Sequence, residues 1–184
     1  MVDQRGTVLA VNCSPSLGGK TLAAIDAVLA GAAESGATTS VMELGAGRPV
    51  AEVVEAMRAA DAFVFGSPMY RGTYTAQFKD LMDHTPRGMY GESDAPISAR
   101  AVLTVATAAS DHHLLGPGSM RDVLVDFFAA HVVSPGLYLT GAAYVDGALT
   151  PENDERARLM GRALVELARA IDSSTALRAV TPNA

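Results

Sequence analysis

A chain of 184 residues is long enough for one domain with a sizeable core, and at 49% hydrophobic residues it is too apolar to stay disordered. Its formal charge of −6, from 14 basic and 20 acidic side chains, argues against a nucleic-acid partner, which calls for a basic face. Cys13 is the single cysteine, so no intrachain disulfide can form and a zinc site would need His and carboxylate ligands.

The opening Met-Val-Asp-Gln-Arg-Gly lacks the apolar run of a signal peptide, and no segment is long and apolar enough to span a bilayer. The expectation is a cytoplasmic protein with no membrane partner. Thr7 to Asn12 reads as a short buried strand, followed by the turn-rich loop Cys13 to Lys20. Leu22, Ile25, Leu29 and Ala32 recur at helical spacing up to Gly36, a natural stop. Thr38 to Leu44 is a second strand, and Ala51 to Ala60 a helix with Val53, Val54 and Met57 inward.

Ala62 to Gly66 is the third strand, and a helix from Thr75 buries Phe78, Leu81 and Met82 until Pro86 ends it. Residues 86–98 are loop-like, and Ala101 to Ala106 is a fourth apolar strand. Ser119 with Asp122 predicts the cap of a helix carrying Val123, Leu124, Phe127 and Phe128. Val132 to Thr140 reads as a fifth strand with a bulge or edge position at Pro135, and Gly141 to Gly147 extends it or turns back. Thr150 and Pro151 open the last helix, with Met160, Leu164, Leu167 and Ile171 inward, and the tail 173–184 is expected to fray.

Buried strands alternating with helices predict an α/β fold: a flavodoxin-like three-layer sandwich, with a five-stranded parallel sheet in order 2-1-3-4-5 and helices on both faces. The chain reads as one domain over 1–184, with no linker that would split it. In such a sheet ligands bind at the carboxyl ends of the strands, at the switch point between strands one and three. Three loops converge there: Cys13–Lys20, Ser67–Tyr74 and Thr107–Gly118.

The first loop, Cys13-Ser14-Pro15-Ser16-Leu17-Gly18-Gly19-Lys20, runs into Thr21. Small residues let backbone N–H groups converge, a helix N-terminus adds partial positive charge, and Lys20 adds a full one. Ser14, Ser16 and Thr21 add hydroxyls, so the pattern reads as a phosphate cradle. It is one residue short of a Walker A loop, and neither strand three nor strand four ends in the Asp that would hold magnesium. A phosphatase reading of Cys13 lacks the Arg that would close the loop, so Cys13 reads as a small buried thiol.

In the second loop Pro68, Met69, Tyr70 and Arg71 can wall a flat ring, and amides near Gly72 can donate to its edge. Tyr74 is either half-buried under the third helix or a subunit contact. In the third loop the adjacent His112 and His113 point different ways and make a poor chelate, so no metal site is assigned. His113 reads as a cap or packing group of the fourth helix. No Gly-x-Ser-x-Gly elbow occurs.

These segments resemble the NADPH-dependent FMN reductase family over roughly Thr7 to Leu139. Asn12–Leu22 resembles its phosphate loop, and Ala60–Tyr70 its "AD-hydrophobic-GTP-x-Y" strand and loop. Tyr74–Asp83 resembles its "Y-S-G-x-L-K-x-x-x-D" helix, and Val102–Ala109, His113, Met120–Leu124 and Val133–Leu139 follow in order. The resemblance implies FMN, with its phosphate at Ser14, Ser16, Lys20 and Thr21. It implies the ring against Pro68, Met69, Tyr70 and Arg71, and the pyrimidine edge near Thr107, Ala108, Ala109 and Ser110. It further implies NADPH or NADH as donor, a small-molecule acceptor, possible service to a flavin-dependent monooxygenase, and a homodimer or homotetramer. The cofactor does the chemistry in such enzymes, so no catalytic side chain is named. The alternative is an FMN-binding electron carrier, or a repurposed flavoprotein, that does not oxidise NAD(P)H. Two departures stand out: Ser16 in place of the family's Arg, and Ala108-Ala109 in place of Gly-Gly.

Overall fold

The computed structural model describes residues 6–182. Its elements alternate as the apolar runs dictate: β1 (Thr7–Asn12), α1 (Gly19–Glu34), β2 (Thr38–Glu43), α2 (Val50–Met57), β3 (Ala62–Pro68), α3 (Ala76–His84) and β4 (Ala101–Thr107). There follow α4 (Gly116–Asp122), which runs on as one π-helical stretch over Val123–Phe127, then β5 (His131–Val132) and β6 (Leu137–Leu139). A hairpin of β7 (Tyr144–Val145) and β8 (Ala148–Leu149) leads to α5 (Pro151–Ser173) and α6 (Thr175–Arg178).

The main sheet is parallel in order β2-β1-β3-β4-β5, with β6 also on β4. The predicted fifth strand is thus present in two pieces on one partner. They are separated at Val133–Gly136, where Pro135 has no N–H to give a ladder. Gly141 to Gly147 turns back: after a short 3₁₀ turn, β7 and β8 pair antiparallel around Asp146 (φ 50°) and Gly147 (φ 84°), the two left-handed positions of a tight hairpin.

Alternate strand residues feed two cores. Val8, Ala10, Val64, Leu103 and Val105 pack against α1 and α5, whereas Leu9, Val11, Phe63, Phe65 and Val102 pack with Val53, Phe78, Leu81 and Leu124. Phe65 meets Phe78 edge-on at 6.1 Å, and Phe78 meets Tyr74 at 4.8 Å, so Tyr74 is half-buried as one of its two readings had it. The expectation of five buried strands fails at β2, an edge strand whose residues are half-exposed or exposed, and at β5, whose two residues are half-buried.

Helices α1 and α5 touch backbone to backbone. A methyl group on Gly31 would lie 2.0 Å from the Arg158 carbonyl oxygen, and one on Gly161 would lie 1.9 Å from that of Val28. Glu34 is held from the same side by Arg158 (2.7 Å) and Arg162 (3.0 Å). Two end effects differ from expectation. Ser119 does not cap α4, which begins at Gly116; its hydroxyl donates to the Gly116 carbonyl instead. The tail beyond Ser173 does not simply fray, because Ser174 caps α6 and the Leu177 carbonyl sits 2.9 Å from His131 Nε2. Among the described residues no helix is long and apolar enough to cross a membrane, and no cluster of His, Cys, Asp and Glu could hold a metal.

Candidate functional site

β1 pairs with β2 on one side and β3 on the other, so the loops after β1 and β3 part at the carboxyl end of the sheet. Loop one begins at Asn12, whose Oδ1 accepts the Ser14 N–H (3.1 Å). Ser14 is buried, and its hydroxyl lies 3.4 Å from both the Ser16 hydroxyl and the Ser16 N–H. No side chain caps α1. The amides of Gly19, Lys20 and Thr21 therefore have no intrahelical partner and face the loop as an anion site does.

The sequence reading missed Glu43. At the end of β2 it lies abreast of Asn12, and its Oε2 accepts both Asn12 Nδ2 (2.9 Å) and the Gly18 N–H (2.7 Å). Gly45 follows so closely that a methyl group there would sit 2.8 Å from the Ser16 carbonyl carbon. Lys20 Nζ stands 5.3 Å from the centre of the Tyr144 ring, while the Tyr144 hydroxyl donates to the Lys20 carbonyl (2.9 Å). Burial pushes the Tyr144 phenol far up, so it remains a donor.

Thr21 departs from its expected role as a free phosphate donor. Its buried hydroxyl is 2.7 Å from that of Thr107, which ties the start of α1 to the end of β4. A second buried knot lies under loops one and two: Thr75 donates to the Cys13 carbonyl (2.6 Å) and accepts from Phe78 N–H as the α3 cap, while the Ser67 hydroxyl accepts the Thr75 N–H (3.1 Å). Cys13 is fully buried and its pKa is pushed far up by desolvation, as a structural thiol requires.

In loop two Pro68 and Met69 are buried and Tyr70 is 55% exposed. Tyr70 and Thr73 exchange backbone hydrogen bonds around Arg71 (φ 52°) and Gly72 (φ 86°), a turn with two left-handed centres. This turn projects the Arg71 side chain into solvent. The Gly72 amide, expected to be free for a ring edge, donates to His113 Nδ1 (2.9 Å). His113 is thus a loop-to-loop tie rather than a helix cap, and Thr73 adds a contact to Ser119 (3.2 Å).

Loop three is anchored from below. Met69 N–H donates to the Thr107 carbonyl (2.7 Å) and Ala108 N–H to that of Leu139 (2.9 Å). The Tyr138 hydroxyl donates to the Ser110 carbonyl (2.8 Å), and desolvation followed by the Asp111 charge raises its pKa. Ser110 Oγ lies 3.1 Å from His112 Nδ1. Ala108 is half-buried, and Ala109 is exposed. The structure thus gathers all twelve predicted residues on the three loops and the element ends that flank them, at one end of the sheet. A cavity of about 510 Å³ lies at the other end, among Thr7, Asp61, Arg100 and Arg169, and contains none of them.

An open parallel sheet in the order β2-β1-β3-β4-β5 with helices on both faces defines a flavodoxin-like fold. The chain belongs to the NADPH-dependent FMN reductase family, whose model matches residues 7–144. It is 35% identical over 95 residues to the NADH-dependent FMN reductase SfnF of Pseudomonas putida, covering 50% of this chain and 45% of that one. The SfnF of Pseudomonas fluorescens is 32% identical over 117 residues, 64% of this chain and 58% of that one. The chain therefore spans about half the length of the curated relatives it matches. The solved NADH:FMN oxidoreductase EMOB, in its apo form, shares the fold with a TM-score of 0.71 at 18% identity over 94% of each chain.

Proposed function

We propose that this protein is an NAD(P)H-dependent FMN reductase that binds FMN across the three loops and passes reducing equivalents to a flavin, quinone or similar small acceptor. The observation that carries the reading is the uncapped start of α1, where the amides of Gly19 to Thr21 and the Ser14 and Ser16 hydroxyls form a donor set that fits a phosphate. In this reading FMN, when bound, supplies the hydride chemistry. The chain's own residues bind and orient. Lys20 contributes charge, Pro68 and Met69 form a buried wall, and Tyr70 and Arg71 cover the ring from the exposed side of the turn. Thr107 to Ser110 present backbone to its polar edge. No side chain moves a proton.

NADH is the proposed donor, on the strength of the two relatives' names. Service to a flavin-dependent monooxygenase is a further role to test. The exposed Leu114, Leu115 and Phe127 support a homodimer or homotetramer. Cytoplasmic location accords with the chain's usage of one buried, unpaired cysteine. The Ala108-Ala109 pair favours one second reading, an FMN protein whose nicotinamide approach is narrowed and which carries electrons without oxidising NAD(P)H.

The deciding experiment is an absorption spectrum of the purified protein with added FMN, followed by anaerobic NADH and then NADPH. A perturbed flavin spectrum that bleaches within the mixing time supports the reductase. A bound flavin that stays oxidised supports the carrier, and an unperturbed spectrum removes both.

A further inference from the structure

We propose that Glu43 sets the affinity of the phosphate site: its carboxylate shapes loop one while weakening that loop's hold on the phosphate of FMN. This rests on the FMN reading above. The Glu43 carboxylate takes the Gly18 N–H at 2.7 Å, removing the amide just ahead of α1 from the set a phosphate could use. The same oxygen holds Asn12 at 2.9 Å, so the carboxylate is fixed in place rather than free to swing out. Gly45 presses the following turn onto Ser14 and Ser16, which leaves the loop little room to move away from that charge.

The cations nearby do not cancel it. Lys20 is the single basic residue between Cys13 and Leu22, and its ammonium rests against the Tyr144 ring. Arg48 reaches the Glu43 carbonyl oxygen (3.1 Å), but its guanidinium is paired with Glu52 (3.1 Å). Asp26, on α1, registers the negative field: desolvation first, and the Glu43 charge second, raise its carboxyl pKa. One lysine against one fixed carboxylate is a poor electrostatic match for a phosphate dianion, whereas the neutral parts of a flavin feel little of it.

The test measures FMN and riboflavin binding by flavin-fluorescence quenching, for the wild type and Glu43→Gln. The glutamine amide oxygen can accept from both Asn12 and Gly18, so the variant keeps the loop contacts and loses the charge. FMN should bind Glu43→Gln about tenfold more tightly, the scale of one partly screened charge contact, and riboflavin equally to both proteins. In the wild type alone, FMN should be preferred over riboflavin by less than about a hundredfold. A wild-type preference well above that overturns the inference without any variant. So does Glu43→Gln binding FMN no better than the wild type. If riboflavin and FMN both fail to bind the wild type, the FMN reading itself falls and takes this one with it.

Discussion

Thr75→Val removes one hydroxyl and almost no volume, yet it should loosen both loops at once. The Thr75 hydroxyl caps α3 by accepting the Phe78 N–H, and such a cap contributes about 1 kcal/mol. It also donates to the buried Cys13 carbonyl at 2.6 Å, and a buried acceptor stripped of its donor costs about 1–3 kcal/mol. The expected loss is about 2–4 kcal/mol, which for a chain of this size lowers the melting temperature by roughly 5–15 °C. Cys13 opens loop one and Thr75 follows loop two, so FMN affinity should fall with stability. Thr75→Ser keeps the hydroxyl and should stay within about 1 kcal/mol of the wild type. Thermal and urea unfolding, with FMN titrations on the same samples, measure both effects. A Thr75→Val protein within about 1 kcal/mol of the wild type and with unchanged FMN binding would refute the reasoning.

Three further outcomes follow from contacts elsewhere. Gly161→Ala gains up to about 1 kcal/mol of helix propensity but places a methyl group 1.9 Å from the Val28 carbonyl oxygen. It should lower the melting temperature, since overpacking costs about 1–3 kcal/mol or more, and an unchanged or raised value would contradict the backbone contact. His113→Leu should speed hydrogen exchange at the Gly72 amide, whereas His113→Asn, whose side-chain oxygen can replace Nδ1 as acceptor, should restore most of the protection; equal exchange in both would remove His113 as the tie. The Arg158 hydrogen bond, then that of Arg162, lowers the Glu34 carboxyl below its unfolded value. Its contribution is therefore present above about pH 4.3 and is lost as pH falls through the folded value. The stability gap between wild type and Glu34→Gln in urea should shrink on that descent, and a gap independent of pH would count against the pair.

The sheet order was legible because three apolar runs, one more polar edge run and one interrupted run alternate with amphipathic helices, and the switch point follows from that order. The break at Pro135 was legible too, from the missing N–H. What the linear pattern hid were partners brought together by register. Glu43 lies 25 residues from Gly18 and Thr107 lies 86 from Thr21. A carboxylate at the end of an edge strand gives no local sign that it will lie abreast of Asn12, although parallel pairing of β1 with β2 from Thr7 and Thr38 would have placed it there. Thr21 read as a phosphate ligand because hydroxyls in such loops often are; its side chain faces β4 because it lies on the buried side of α1. His113 was seen as a loop histidine, but its use as an acceptor depends on a turn 41 residues away.

The lone thiol under loop one has a practical meaning. Cys13 is fully buried, and its carbonyl is pinned by Thr75. With no second cysteine in the sequence, a thiol-reactive dye can label this protein at one place only, and only while the floor of the crevice is lifted. The chain thus carries its own reporter: the labelling rate measures how often the first loop leaves the sheet, and slowing of that rate by a ligand would report closure without any change to the molecule.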